Sequence, residues 1–141
     1  MSSLKSQKVK NPQEYPNVIT GLPEAVIQVK GIKAWVLQGE AHQLVFFEME
    51  PQTQVPEHSH DYSQWGILLK GKMQLTINGK THLIKKGDEY VIPARAKHHA
   101  TFLTKCRVID FFSEKTRYQT KPAKQRQVDV SLNTRHCESV F

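Results

Sequence analysis

Residues 55–71 read "VPEHSHDYSQWGILLKG", two histidines one residue apart with a glutamine four positions after the second. On an extended strand the side chains at i, i+2 and i+6 project to one side, so a continuous run from 58 to 64 aims His58, His60 and Gln64 at one volume. Neutral imidazole is a good ligand for Zn, Fe, Ni and Cu, and a third histidine from another strand would close three corners of a metal site while leaving positions open. A source for it lies downstream in "KKGDEYVIPARAKHHATF", where a glycine turn leads into an apolar segment and then to His98 and His99. Strand alternation turns only one of that adjacent pair inward.

The sequence around this stretch is that of an all-β protein. Between residues 25 and 113, short β-branched or aromatic runs ("AVIQV", "KAWVLQ", "HQLVFFEME", "WGILLKG", "KMQLTI", "THLI", "EYVIP", "HHATFL", "CRVIDFFS") are separated by turn residues, the spacing of a sandwich or barrel. In "KMQLTI", Met73, Leu75 and Ile77 fall on one face and Lys72, Gln74 and Thr76 on the other, the two-residue period of a half-buried strand. Asn78-Gly79 follows directly and predicts a tight hairpin, because both central positions of a type I′ turn need positive φ. Pro51 and Pro56 bracket "PQTQVP", which reads as a loop or strand edge, so the strand carrying His58 is expected to begin close to it.

The 141 residues, 38% hydrophobic and 23% charged, suit one domain with tails: an N-terminal arm over 1–24, a barrel over 25–113 and a polar C-terminal tail over 114–141. The tails read as partly disordered or as segments that pack on a partner subunit. The net charge of +7 is spread thinly: residues 25–113 carry 11 Lys/Arg against 8 Asp/Glu, with no basic stripe and no helix-turn-helix pattern. Specific nucleic-acid binding is therefore not expected. No apolar run approaches the ~20 residues of a membrane span, and the first residues lack the apolar segment of a secretory signal. A cytoplasmic location and no membrane partner are expected. Cys106 and Cys137 form neither a CxxC clip nor a disulfide framework, and Cys106 reads as a small buried hydrophobe.

Residues 58–71 resemble the first motif of the cupin family, with His58, His60, Gln64 and Gly71 at the positions of its two histidines, carboxylate and glycine. Residues 87–98, "GDEYVIPARAKH", resemble the second, with Gly87, Pro93 and His98 aligned. The resemblance covers roughly residues 30–113 and implies a double-stranded β-helix, or jelly-roll barrel, of the small single-domain, RmlC-like kind, which commonly pairs as a homodimer. It also implies one divalent metal ion per chain (Fe, Mn, Ni or Zn) held by His58, His60 and His98, with Gln64 at the usual glutamate position and His99 facing away. The chain departs from the motifs at Gln52 and Arg95, which stand where glycines are common, and at Phe102, which replaces a closing asparagine. Gln64 removes one negative charge from the donor set, so the ion should be held less strongly than by a carboxylate.

Blander roles stand beside these readings. Gln64 is as well placed to orient a histidine as to ligate a metal. Tyr62, a catalytic candidate by its parity with His60, more commonly sits on a rim. Met73, Ala100 and Phe102 line a pocket wall or ordinary core, Trp65 serves sheet packing or a dimer surface, and His42 and His82 lie at the surface. The expected activity is metal-dependent chemistry on a small organic molecule inside the barrel, of the dioxygenase-like oxidoreductase kind that uses a three-histidine site. The alternative is a non-catalytic small-ligand-binding or sensory module, with or without metal. No motif residue is an obvious general base, since Glu57 and Asp61 have the outward parity.

Overall fold

The computed structural model describes residues 14–122; Pro12, Cys137 and the rest of the two termini lie outside the described residues. Nine strands follow one another: β1 Ile32–Gln38, β2 Gln43–Met49, β3 Thr53–His58, β4 Gln64–Lys70, β5 Lys72–Ile77, β6 Lys80–Lys85, β7 Glu89–Ile92, β8 His98–Phe102 and β9 Cys106–Phe112. They form two facing antiparallel sheets, one ordered β1-β2-β9-β4-β7 and the other β3-β8-β5-β6. This is the expected jelly roll. Its core is filled from both sides, by Val36, Val45, Phe47, Leu68, Val108 and Phe112 of the larger sheet and by Met73, Leu75, Ala100 and Phe102 of the smaller.

The turn residues explain how the strands connect. Asn78 and Gly79 take φ of 48° and 80° and close β5 onto β6, with Ile77 opposite Lys80, as the hairpin signal predicts. Gly71 and Gly87, the motif glycines, take φ of 92° and 91°. The two departures from glycine keep the same backbone, because Gln52 and Arg95 are left-handed at φ of 66° and 68°. At Arg95 this strained turn aims its amide N–H at His60 O, 2.6 Å away, tying the β7–β8 turn to the histidine loop. A left-handed L-residue costs about 1–2 kcal/mol, of which glycine's greater unfolded-state freedom recovers only part. Arg95→Gly is thus expected to stabilise the fold by about 0.5–1 kcal/mol, read as a melting temperature raised by a few degrees, with ion binding unchanged.

Two sequence expectations are corrected. "AVIQV" forms no strand: residues 24 and 25 make only isolated bridges, Glu24 with Trp35 and Ala25 with Thr120, because this segment is clamped between β1 and the chain leaving β9. The strand carrying His58 begins at Thr53 rather than close to the histidine, and it spans Pro56 because β3 is an edge strand with a register shift between Val55 and His58, where proline's missing N–H costs no ladder bond.

Segments flanking the barrel are fastened to it. Tyr15 lies on the outer face of the larger sheet, edge-on to Trp35 and Phe46, with its hydroxyl shared between Phe47 O and Val108 O. A four-residue helix, α1 (Asn17–Thr20), follows it. After β9, the side-chain amide of buried Gln43 grips the Tyr118 backbone from both sides: Gln43 Nε2 donates to Tyr118 O and Tyr118 N donates to Gln43 Oε1, each at 2.9 Å. Val26 N donates to Gln119 O at 2.8 Å beside it, so residues 117–120 run along the barrel mouth.

Candidate metal centre

His58 ends β3 and pairs in register with His98, which begins β8, so the two imidazoles are neighbours on one sheet with ring centroids 4.2 Å apart. His60 does not continue that strand. The run from 58 to 64 breaks after His58, because the chain leaves the smaller sheet and crosses to the larger one, where β4 starts at Gln64. His60 reaches the cluster from this crossing loop, its ring 5.0 Å from that of His98. Among the described residues, His58, His60 and His98 bring ligand nitrogens within 4.8 Å of one another. His99 is half-buried and outside the cluster.

Hydrogen bonds fix the tautomer of all three rings. Nδ1 of His58, His60 and His98 lies 2.9, 2.8 and 2.8 Å from the carbonyl oxygens of Pro56, Tyr62 and Ala96. A carbonyl only accepts, so each Nδ1 carries a proton, which in a neutral ring leaves Nε2 with a lone pair. Burial pushes the His98 pKa down to about 4, against the opposing pull of its bond to Ala96, and burial lowers that of His58. Both rings are neutral near pH 7, the state in which imidazole ligates.

Gln64 completes the set. Its amide N–H donates to Asp110 Oδ2 at 2.9 Å, which turns Oε1 toward His60 Nε2 at 3.1 Å. A proton or a cation between these two atoms satisfies both, and His98 Nε2 is buried with no hydrogen-bond partner among the described residues. Three inward nitrogen lone pairs and one carbonyl oxygen therefore fit a borderline divalent ion. The Gln64 atom that faces the cluster is aimed by the one that bonds Asp110.

Asp110 was not singled out by the sequence reading. It is buried on β9 and also accepts a hydrogen bond from Tyr90 at 2.5 Å. Burial raises its pKa to about 6, while the bonds from Tyr90 and Gln64 pull it back down. Burial and the Asp110 charge raise Tyr90 well above its ordinary value. In "CRVIDFFS" the inward positions are Cys106, Val108, Asp110 and Phe112, so one acid at apolar parity was the available signal. A carboxylate is present in the cavity after all, though both its oxygens are engaged.

The cluster opens onto a cavity of about 420 Å³ between the sheets, lined by His58, Gln64, His98 and Asp110, with Met73, Ala100 and Phe102 in its apolar wall as expected. Tyr62 is not among the lining residues. Its ring stacks on His60 at 4.2 Å with 4° between planes, and its carbonyl takes the His60 proton, a supporting position behind the ligand. Trp65 stacks on Phe111 at the outer face, Cys106 is a buried free thiol, and His42 is exposed.

Fold and site together describe a jelly-roll barrel with an inward three-histidine cluster, the cupin arrangement. A model of the cupin domain matches residues 45–112, and the barrel has the fold of RmlC-like cupins. Among solved structures it is similar to an RmlC-like cupin from Shewanella frigidimarina (22% identity, 67% of this chain and 86% of that one, TM-score 0.62). It is also similar to KdgF from Halomonas sp. (22%, 66% and 87%, TM-score 0.61). A salicylate 1,2-dioxygenase from Pseudoaminobacter salicylatoxidans shares the fold over 62% of this chain and 26% of its own (17%, TM-score 0.59). Among curated proteins no sequence matches.

Proposed function

We propose that this cupin binds one divalent ion, Fe(II) foremost, through His58, His60 and His98 with Gln64 Oε1, and uses it for dioxygenase-like oxidoreductase chemistry on a small organic molecule in the barrel. The observation that carries this is the convergence of three Nε2 lone pairs whose Nδ1 protons are all spent on backbone carbonyls. When bound, such an ion supplies Lewis acidity and exchangeable positions for substrate. The chain's own part is to keep the donors deprotonated, to hold them by carbonyls and by Asp110, and to surround the substrate with apolar wall. An all-neutral donor set favours this reading over a lyase or isomerase that needs a free carboxylate base, because Asp110 is already bonded on both oxygens.

The test is oxygen uptake by anaerobically iron-loaded protein offered small phenols, diketones and thiols. Uptake with one class, absent in His98→Ala, is expected. No uptake with any class while iron stays bound would support a non-catalytic binding module instead.

A homodimer and a cytoplasmic location belong to the same proposal. Leu37, Leu44, Phe111, Trp65 and Val91 lie opposite one another in register and form an apolar row across all five strands of the larger sheet's outer face. Leu37 is 49%, Trp65 43% and Val91 63% exposed, the composition of a surface that a second copy would cover. Trp65→Glu is expected to turn a dimer into a monomer by light scattering while the circular dichroism of the fold is retained. A buried free thiol at Cys106 agrees with a reducing compartment.

A further inference from the structure

Arg117 lies beyond the last strand, in a segment that composition alone assigns to the tail, yet it lines the same cavity as His58 and His98. It is held firmly there. Tyr118 next to it is gripped by Gln43, and Gln119 and Thr120 pair with the residue 25–26 segment. The guanidinium sits over two aromatic rings, 4.7 Å from the centroid of Tyr118 and 5.7 Å from that of Phe112. Phe112 in turn lies 6.5 Å from the His60 ring, so one aromatic ring stands between the cation and the histidine cluster. Its charge contributes to the lowered pKa values of both His58 and His98.

Among the described residues the cation has no carboxylate partner, and its Nε is buried without a hydrogen-bond partner. Glu114, the nearest acid in sequence, forms no salt bridge with it and accepts from Thr116 N and Oγ1 at Oε2. Asp110, the carboxylate lining the cavity, is spent on Tyr90 and Gln64. Aromatic faces stabilise the charge but do not satisfy the in-plane N–H groups of a guanidinium that lines the cavity. Among the described residues no lysine and no second arginine line it.

We infer that the molecule taken by this cavity is a small organic monocarboxylate with an apolar body, its carboxylate paired with Arg117 and its body against the wall of Phe47, Met73, Ala100 and Phe102. One fixed guanidinium presents a planar fork that matches a carboxylate with two parallel hydrogen bonds, and a single positive charge balances a monoanion rather than a phosphate dianion. The inference names the substrate class for the proposed metal centre and rests on that reading for the chemistry, but not for the binding.

The experiment is therefore calorimetry on both the purified full-length protein and its EDTA-treated form, with acid and amide pairs: benzoate and benzamide, phenylacetate and phenylacetamide, hexanoate and hexanamide. In at least one pair the acid is expected to bind about tenfold or more tightly than the amide in both forms. Arg117→Gln should abolish that preference and Arg117→Lys should keep part of it, with melting temperature and metal content unchanged in both. Equal binding within every pair overturns the inference. So does a preference that survives Arg117→Gln. A preference confined to metal-loaded protein and indifferent to Arg117 also overturns it while leaving the metal centre intact, whereas an Arg117-dependent preference in a protein that binds no metal sustains it and sinks the metal reading alone.

Discussion

Asp110→Asn is expected to stabilise the metal-free protein at pH 7.5 and at the same time to weaken its hold on a divalent ion by about 10–100-fold. Burial raises the Asp110 pKa from 3.8 to about 6, so the folded chain binds this proton more strongly than the unfolded one. The carboxyl's contribution to stability is fully present below about pH 3.8 and is lost as pH rises through about 6, a difference of about 3 kcal/mol. Asparagine carries no charge and escapes that loss, so denaturant unfolding should show a gain at pH 7.5 that shrinks toward pH 4. Metal affinity moves the other way because the hydrogen bonds reverse. With its oxygen kept on the Tyr90 hydroxyl, an asparagine turns its amide to Gln64 Nε2, donor against donor, and Gln64 relieves this by flipping, which turns its N–H toward His60 Nε2 and its oxygen away from the cluster. A variant destabilised equally at both pH values, or one that binds Co(II) as the wild type does, would contradict this account of the Gln64–Asp110 pair.

Gly66→Ala should damage both the barrel and its site. A Cβ built at Gly66 falls on Asp110 Oδ1 and lies 2.6 Å from Ile109 O and 2.9 Å from Tyr90 Oη. The backbone carbonyl belongs to a paired strand and cannot yield, and a displaced Asp110 loses its bonds to Tyr90 and Gln64. Overpacking of this kind costs about 3 kcal/mol, expected as a melting temperature lowered by on the order of 10 °C. Metal affinity should fall with it, since displaced Asp110 no longer aims Gln64. The missing side chain at Gly66 is thus what lets a buried acid stand behind the ligands.

Local chemistry made much of this legible beforehand. The Asn78-Gly79 turn, the alternation of Met73, Leu75 and Ile77, and the two motif glycines each report a backbone conformation through residues a few positions apart, and the structure holds all of them. The three histidines and the apolar wall residues Met73, Ala100 and Phe102 were readable for the same reason. What escaped depends on distant partners. A straight strand from 58 to 64 is plausible until the crossing between sheets is known. Asp110 is one acid among apolar neighbours, and its meaning comes from Tyr90 and Gln64, 20 and 46 residues away. Arg117 looks like tail because its support, the Gln43 grip on Tyr118, spans 75 residues.

The central claim is that His58, His60 and His98 with Gln64 form one site for a divalent ion. Its most direct measurement is a calorimetric titration of EDTA-treated, tag-free protein with Co(II), run beside His98→Ala and Gln64→Glu. The account predicts one ion per chain in the wild type, no binding in His98→Ala because the buried Nε2 is gone, and tighter binding in Gln64→Glu because a carboxylate restores the missing charge. Wild-type protein that takes up no ion, or His98→Ala that binds as well as the wild type, would contradict it.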